Sequence, residues 1–200
     1  MVPNFTICSL FALLLCSVGA LRADDAWPRK YEDFEGAKLL WPYTYDDKTS
    51  TIKMTVSEDV AKSGKKSLCF EVNTKGTGEW GAGGGCAPSI SGAKGGIDVT
   101  GATKLTFWIK TEKKISLGVA IKEGNAPGRS ELNEEWKWGV QEIEGKADWQ
   151  QVKLDIDKAT IKKITGNGKL DMGNISNVDF FFSLGIEHTK VYVDDIAFEK

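Results

Sequence analysis

Apolar residues recur at every second position along most of this chain. Ile52, Met54 and Val56 alternate with Lys53, Thr55 and Ser57, and Leu68, Phe70 and Val72 repeat the pattern. It returns at Leu105, Phe107 and Ile109, at Ile115, Leu117, Val119 and Ile121, and at Val152, Leu154 and Ile156. Phe180, Phe182, Leu184 and Ile186 follow, and the run from Val191 to Phe198 closes the chain. A period of two buries one side of a strand, so each run predicts a half-buried strand. Turn chemistry separates them at Lys62-Ser63-Gly64-Lys65, Gly81 to Gly85, Gly95-Gly96, Gly124 to Gly128 and Gly166-Asn167-Gly168. One helical turn is predicted over Asp157 to Ile164, and no long helical period exists. About ten short strands, each with one face to bury, predict an all-β protein: a two-sheet antiparallel β-sandwich, or jelly roll, as one domain over residues 24–200.

The N-terminal stretch does not belong to that pattern. Ile7 to Val18 is continuously apolar yet shorter than the ~20 residues of a bilayer span. It reads as the core of a signal peptide over residues 1–23, with cleavage after Ala20 or Ala23, and predicts secretion. The full chain carries 26 Lys and Arg against 28 Asp and Glu, a net charge of −2. Removing residues 1–23 takes away only Arg22, leaving 25 − 28 = −3. No basic excess supports nucleic-acid binding, and no polybasic amphipathic stretch supports membrane attachment, so a soluble monomer is expected. The one histidine, His188, excludes a multi-histidine zinc site and leaves little room for triad chemistry. Cys8 and Cys16 leave with the signal, so Cys69 and Cys86 form an even pair in an oxidising compartment. A disulfide between them would stabilise by roughly 3 kcal/mol; the alternative is two separate buried thiols.

One strand suggests a site. If Ile115, Leu117, Val119 and Ile121 face the core, then Ser116, Gly118, Ala120 and Lys122 line the other face. Small side chains there make a low, flat surface of the kind an extended polymer needs; the alternative is a solvent-facing strand that simply tolerates small residues. Trp108 is expected on the solvent side of the preceding strand. The ordered set Tyr31-Glu32-Asp33-Phe34-Glu35-Gly36, Lys62 to Leu68, Gly96 to Lys110, Asp148 to Leu154 and Val191 to Ile196 resembles the jelly-roll carbohydrate-binding modules. Family 11 is the best likeness, with families 4, 22 and 30 as relatives, and it covers essentially the whole mature chain.

The resemblance implies a secreted binder of a polysaccharide, a β-glucan or hemicellulose, without catalysis. It also implies a structural calcium (Ca2+) tying the first strand to the last, held by Asp33, Glu35, the backbone carbonyl near Lys66, and Asp194. Calcium takes six to eight oxygens, several from carboxylates. The alternative is that Asp194 and Asp195 merely meet lysines at an edge.

Sugar rings stack their C–H faces on aromatic rings and pair their hydroxyls with polar side chains. Candidate ligand-binding residues are Tyr43, Tyr45, Trp80, Trp108, Lys122, Arg129, Glu131, Trp136 and Trp138. Trp136 and Trp138 lie two apart, so both are core or both are platforms. The rival class is a jelly-roll glycoside hydrolase or polysaccharide lyase, which for hydrolysis needs a carboxyl pair at about 5–9.5 Å. Glu142 with Glu144, and Asp155 with Asp157, are the nearest look-alikes. A cell-surface adhesion module is a third reading of the same fold.

Overall fold

The computed structural model describes residues 27–36, 39–46, 50–75, 81–87, 96–124, 134–163 and 166–200. The expected signal peptide and the candidates Trp80, Arg129 and Glu131 lie outside the described residues, and for Tyr43 and Tyr45 only the backbone is described. In chain order the strands are β1 (Arg29–Glu32), β2 (Leu40–Asp46), β3 (Thr51–Ser57), β4 (Ser67–Asn73), β5 (Ala82–Ala87), β6 (Lys104–Thr111) and β7 (Ile115–Glu123). They continue with β8 (Glu134–Lys137), β9 (Gln141–Ile143), β10 (Lys146–Asp155), β11 (Thr160–Lys163), β12 (Ile175–Phe182) and β13 (Thr189–Glu199).

Two antiparallel sheets result. The first runs β10-β6-β13-β4-β3, with β1 paired to the far end of β13; the second runs β11-β8-β7-β12-β5-β2, with β9 paired to β7. Consecutive strands β6 and β7 fall in different sheets, as do β12 and β13. The alternating apolar residues meet between the sheets, as a sandwich requires. Phe70 of β4 lies 5.9 Å from Phe180 and 5.2 Å from Phe182, both of β12, and Phe107 of β6 lies 5.3 Å from Phe180. These edge-to-face contacts join the two sheets at their centre. Leu68, Leu105, Ile109, Leu117, Val119, Ile121, Val191 and Val193 complete the same buried cluster.

The structure departs from the expected pattern in three places. Gly81 to Gly85, expected as a turn, instead leads into β5, an inner strand paired with β12 on one side and β2 on the other. The reason is steric: a Cβ at Gly85 would lie 2.6 Å from the Val178 carbonyl oxygen and closer still to the Asp179 carboxylate. Glycine here allows close strand approach rather than a bend. The expected helical turn shrinks to a single 3-10 turn at Ile156–Lys158, followed by β11. Strand β12 ends at Phe182, and Ile186 is held instead by Thr74, whose hydroxyl accepts from the Ile186 N–H at 2.9 Å.

The cysteines do not bridge. Both are free and buried. Cys86 belongs to the core cluster on β5 of the second sheet. Cys69 sits between the core residues Leu68 and Phe70 on β4 of the first sheet, so its side chain has the opposite, outward parity. Stacked sheets lie about 10 Å apart, and a disulfide needs Cα atoms within about 7 Å. Burial pushes both thiols up, Cys86 far above the ordinary range.

Candidate functional site

The outer face of the second sheet is built from the residues that alternate with its core. Register places Tyr43, Gly85, Asp179, Ala120, Lys137 and Thr160 in one row across β2, β5, β12, β7, β8 and β11. A second row holds Tyr45, Gly83, Phe181 and Gly118. Each row therefore alternates a large residue with glycine or alanine. Side chains are thus sparse in the middle of this face, where Gly83, Gly85, Gly118, Ala120 and Asp179 are all buried.

Charged groups are set into that floor. Lys122 Nζ lies 2.6 Å from Asp179 Oδ2, and both side chains are almost wholly buried, 6% and 0% exposed. Glu135, opposite Lys122 in register, takes Lys162 Nζ at 2.7 Å. The same ammonium lies 4.6 Å from the centre of the Phe181 ring, a cation–π contact. Toward the β9 edge, Ser116 donates to Glu142 at 2.7 Å. Asp179 and Lys122 are shielded, whereas Lys162 and Thr160 reach solvent. Glu142 reaches solvent as well, and these three groups, held by fixed partners, can meet hydroxyl groups without reorganising.

The predicted site residues separate onto different surfaces. Lys122 lies on this outer face, and Tyr43 and Tyr45 occupy its rows by register. Trp108 does not: it is on the outer face of the first sheet, the opposite side of the sandwich. Trp136 and Trp138 face inward. Trp138 is 4% exposed and its indole N–H donates to the Asp155 carbonyl at 2.7 Å, while Trp136 packs against the core opposite Ile121. Neither is a stacking platform, because Trp136 stands opposite the core residue Ile121 and the Trp138 backbone N–H donates to the carbonyl of Val119, whose side chain is also core. Asp179, Phe181, Glu135 and Lys162 were missed as site residues. The parity of Val178-Asp179-Phe180-Phe181-Phe182 carries the signal for two of them, since an acid in so apolar a strand must have a partner.

No protein-family model matches the chain, and no curated protein matches it. Solved structures do. The family 11 carbohydrate-binding module from Clostridium thermocellum, described in complex with a β-1,3-1,4-mixed-linked tetrasaccharide, aligns with a TM-score of 0.59 at 18% identity, over 86% of this chain and 94% of that one. A family 30 module of a cellulosomal cellulase of Clostridium thermocellum gives 0.57 at 14% identity, over 86% and 96%. The chain has the fold of the family 11 and family 30 carbohydrate-binding modules. A β-1,2-glucanase from Parabacteroides distasonis also aligns, with a TM-score of 0.56 at 11% identity, over 86% of this chain but 25% of the enzyme. Among the described residues, no helix is long and apolar enough to cross a membrane.

Two of the expected calcium ligands, Glu35 and Asp194, meet at the 62–66 loop. Glu35 Oε1 accepts from the N–H groups of Lys65 and Lys66, both at 2.8 Å. Asp194 Oδ2 accepts from Lys62 N at 2.7 Å and Ser63 N at 3.3 Å, and its Oδ1 accepts from Asp195 N at 2.8 Å. Asp33 pairs with Lys30 Nζ at 2.8 Å. The loop thus turns N–H groups toward the carboxylates, and Lys66 presents its N–H. Among the described residues no three acidic, histidine or cysteine side chains are grouped around a point that could hold a metal. In this arrangement the set does not fit calcium. Burial pushes the Asp194 carboxyl up to about 6 despite its N–H donors. At Asp33 burial acts upward too, but the Lys30 and Glu35 hydrogen bonds outweigh it and hold the carboxyl below its usual range.

The carboxyl pairs that could serve hydrolysis are engaged elsewhere. Glu142 and Glu144 are exposed and share Lys114, at 3.5 Å each. Asp155 pairs with Lys104 at 3.0 Å, and Asp157 is exposed beside Lys158. A third pair, unforeseen from sequence, is Glu123 with Glu134, opposite each other on β7 and β8 and both buried. Glu134 accepts from Gly166 N at 2.7 Å and Gly168 N at 3.0 Å, and Glu123 accepts from Asp171 N. Burial, then the hydrogen bond with Glu134, pushes the Glu123 carboxyl up to about 7. This pair pins the 166–171 loop onto the end of the second sheet.

Proposed function

We propose that the chain is a secreted, non-catalytic glycan-binding protein whose second-sheet outer face takes a β-linked glucan or hemicellulose chain. The observation that carries this reading is the set of side-chain-poor outer-face positions Gly83, Gly85, Gly118 and Ala120 beside the Lys122–Asp179 pair. A flat polysaccharide needs such a surface to bring its ring faces and hydroxyls into contact together. The mixed-linkage tetrasaccharide described with the family 11 module supports the substrate class, and the apolar Ile7 to Val18 run supports export. The acidic pairs of the described residues are held by lysines or backbone N–H groups, which supports binding without hydrolysis.

Affinity electrophoresis through gels containing mixed-linkage β-glucan, xyloglucan or xylan tests the proposal. Retardation in at least one gel, with no release of reducing ends, is expected. Unchanged mobility in all three overturns the binding reading, and release of reducing ends replaces it with a hydrolase.

A further inference from the structure

The side of the sandwich away from that face holds a groove of its own. Strand β13 carries a bulge: Asp194 stands opposite Trp108 on β6, yet Ala197 stands opposite Thr106, so three steps on β13 match two on β6. Asp195, inside the bulge, takes the left-handed φ of 49°. The extra residue opens a cavity of about 250 Å³ beside the Trp108 indole. Its walls include Thr106, Trp108, Gln151, Ala197, Lys30 and Glu199. Small-molecule pockets begin at about 300 Å³, so this one suits a single ring.

We propose that this groove is a second glycan site, taking one neutral pyranose ring with its C–H face against Trp108. The proposal stands on the first sheet alone and does not depend on the trough of the second. Trp108 has outward parity and is half-buried, so the core does not use it. Lys62 Nζ stacks on the ring at 4.3 Å without forming part of the groove wall, which fixes the indole from the side of the 62–66 loop. The charges at the rim are compensated within the protein: Lys30 by Asp33 at 2.8 Å, and Glu199 by Lys153 at 3.4 Å. Asp195 accepts from the Ser63 hydroxyl at 2.8 Å. A polyol finds shared acceptors here and the exposed Gln151 amide, opposite Trp108 on β10. An aromatic floor ringed by amide, hydroxyl and carboxylate is sugar-recognition chemistry.

Titration of the isotope-labelled protein with the methyl β-glycosides of glucose, xylose, mannose and galactose tests this by NMR. The Trp108 indole N–H and the Gln151 side-chain amide are expected to shift together and saturably at millimolar sugar with at least one of the four. Gln151→Ala, an exposed change that spares the fold, is expected to weaken that titration several-fold. Immobility of both signals with all four glycosides overturns the proposal, as does a Trp108 titration that Gln151→Ala leaves unaltered. Backbone amides of Gly118, Ala120 and Lys137 in the same spectra report the trough separately, so either site can fail without the other.

Discussion

Removing one partner of the Lys122–Asp179 pair is the sharpest perturbation the second sheet offers. The two side chains meet at 2.6 Å with 6% and 0% exposure, so neither charge has bulk water to fall back on. Stripping one partner from a buried pair costs about 3–5 kcal/mol. Lys122→Met and Asp179→Leu, each alone, are therefore expected to destabilise by that amount. For a domain of this size the loss corresponds to a fall in Tm of about 6–20 °C. Combined, the two changes replace an ion pair with apolar contacts of similar volume, which is often neutral. The double variant is expected within about 1 kcal/mol of the parent, giving a coupling of at least about 5 kcal/mol. Urea denaturation of all four proteins measures this, provided the m-value is constant across the set. Two single variants within 1 kcal/mol of the parent, or strictly additive losses, would refute the reasoning. The double variant also separates stability from binding: folded, it should bind β-glucan at least tenfold more weakly, a loss of about 1.4 kcal/mol. Parental affinity in that variant would move the glycan away from this floor.

Other consequences are read more simply. Gly85→Ala should destabilise by about 3 kcal/mol in a denaturant melt, since its Cβ would lie 2.6 Å from the Val178 carbonyl oxygen, whereas Gly139→Ala meets nothing within 4 Å and should be silent. Equal effects would show that β5 does not pack as described. For pH, Glu123 and Asp194 have folded values of about 7 and about 6 against ordinary values of 4.5 and 3.8. The folded state therefore holds protons that the unfolded chain releases, so this stability is present below about pH 4 and is lost as pH rises toward 7. The Glu123 contribution is at most about 3 kcal/mol, and solvent at the sheet end reduces it. Thermal melts should show Tm falling between pH 5 and 7.5, and Glu123→Gln should flatten that slope; a rising Tm would contradict the assignment. EDTA should leave Tm unchanged, because N–H groups already satisfy Glu35 and Asp194. A fall would mean that the 62–66 loop turns its carbonyls to an ion.

The sandwich was legible because burial on one face writes a period of two into β3, β4, β6, β7, β10 and β13. Strand β5 was hidden for the opposite reason. Ala-Gly-Gly-Gly has no side chains with which to show a period, and the Asp179 carboxylate that demands glycine at residue 85 lies more than ninety residues away in sequence. The cysteine pairing failed on the same kind of long-range fact. Spacing set Cys69 and Cys86 close along the chain, but the crossover from β4 to β5 puts them in different sheets with opposite parity.

The site was legible by face but not by sheet. Parity alone placed Lys122, Gly118 and Ala120 on an outer surface, and parity alone turned Trp136 and Trp138 together, leaving only the choice between core and solvent. Ile121 opposite Trp136 made that choice. Parity could not reveal that β6 and β7, joined by a short turn, change sheets between them, so Trp108 and Lys122 point away from each other across the sandwich. A two-layer fold has two outer faces, and an alternating sequence does not distinguish them. That ambiguity is why residues expected to line one trough resolve into two surfaces of different character. One is a broad floor with a buried ion pair, suited to a chain that lies across several strands. The other is a groove of about 250 Å³ beside Trp108, cut by a single bulge.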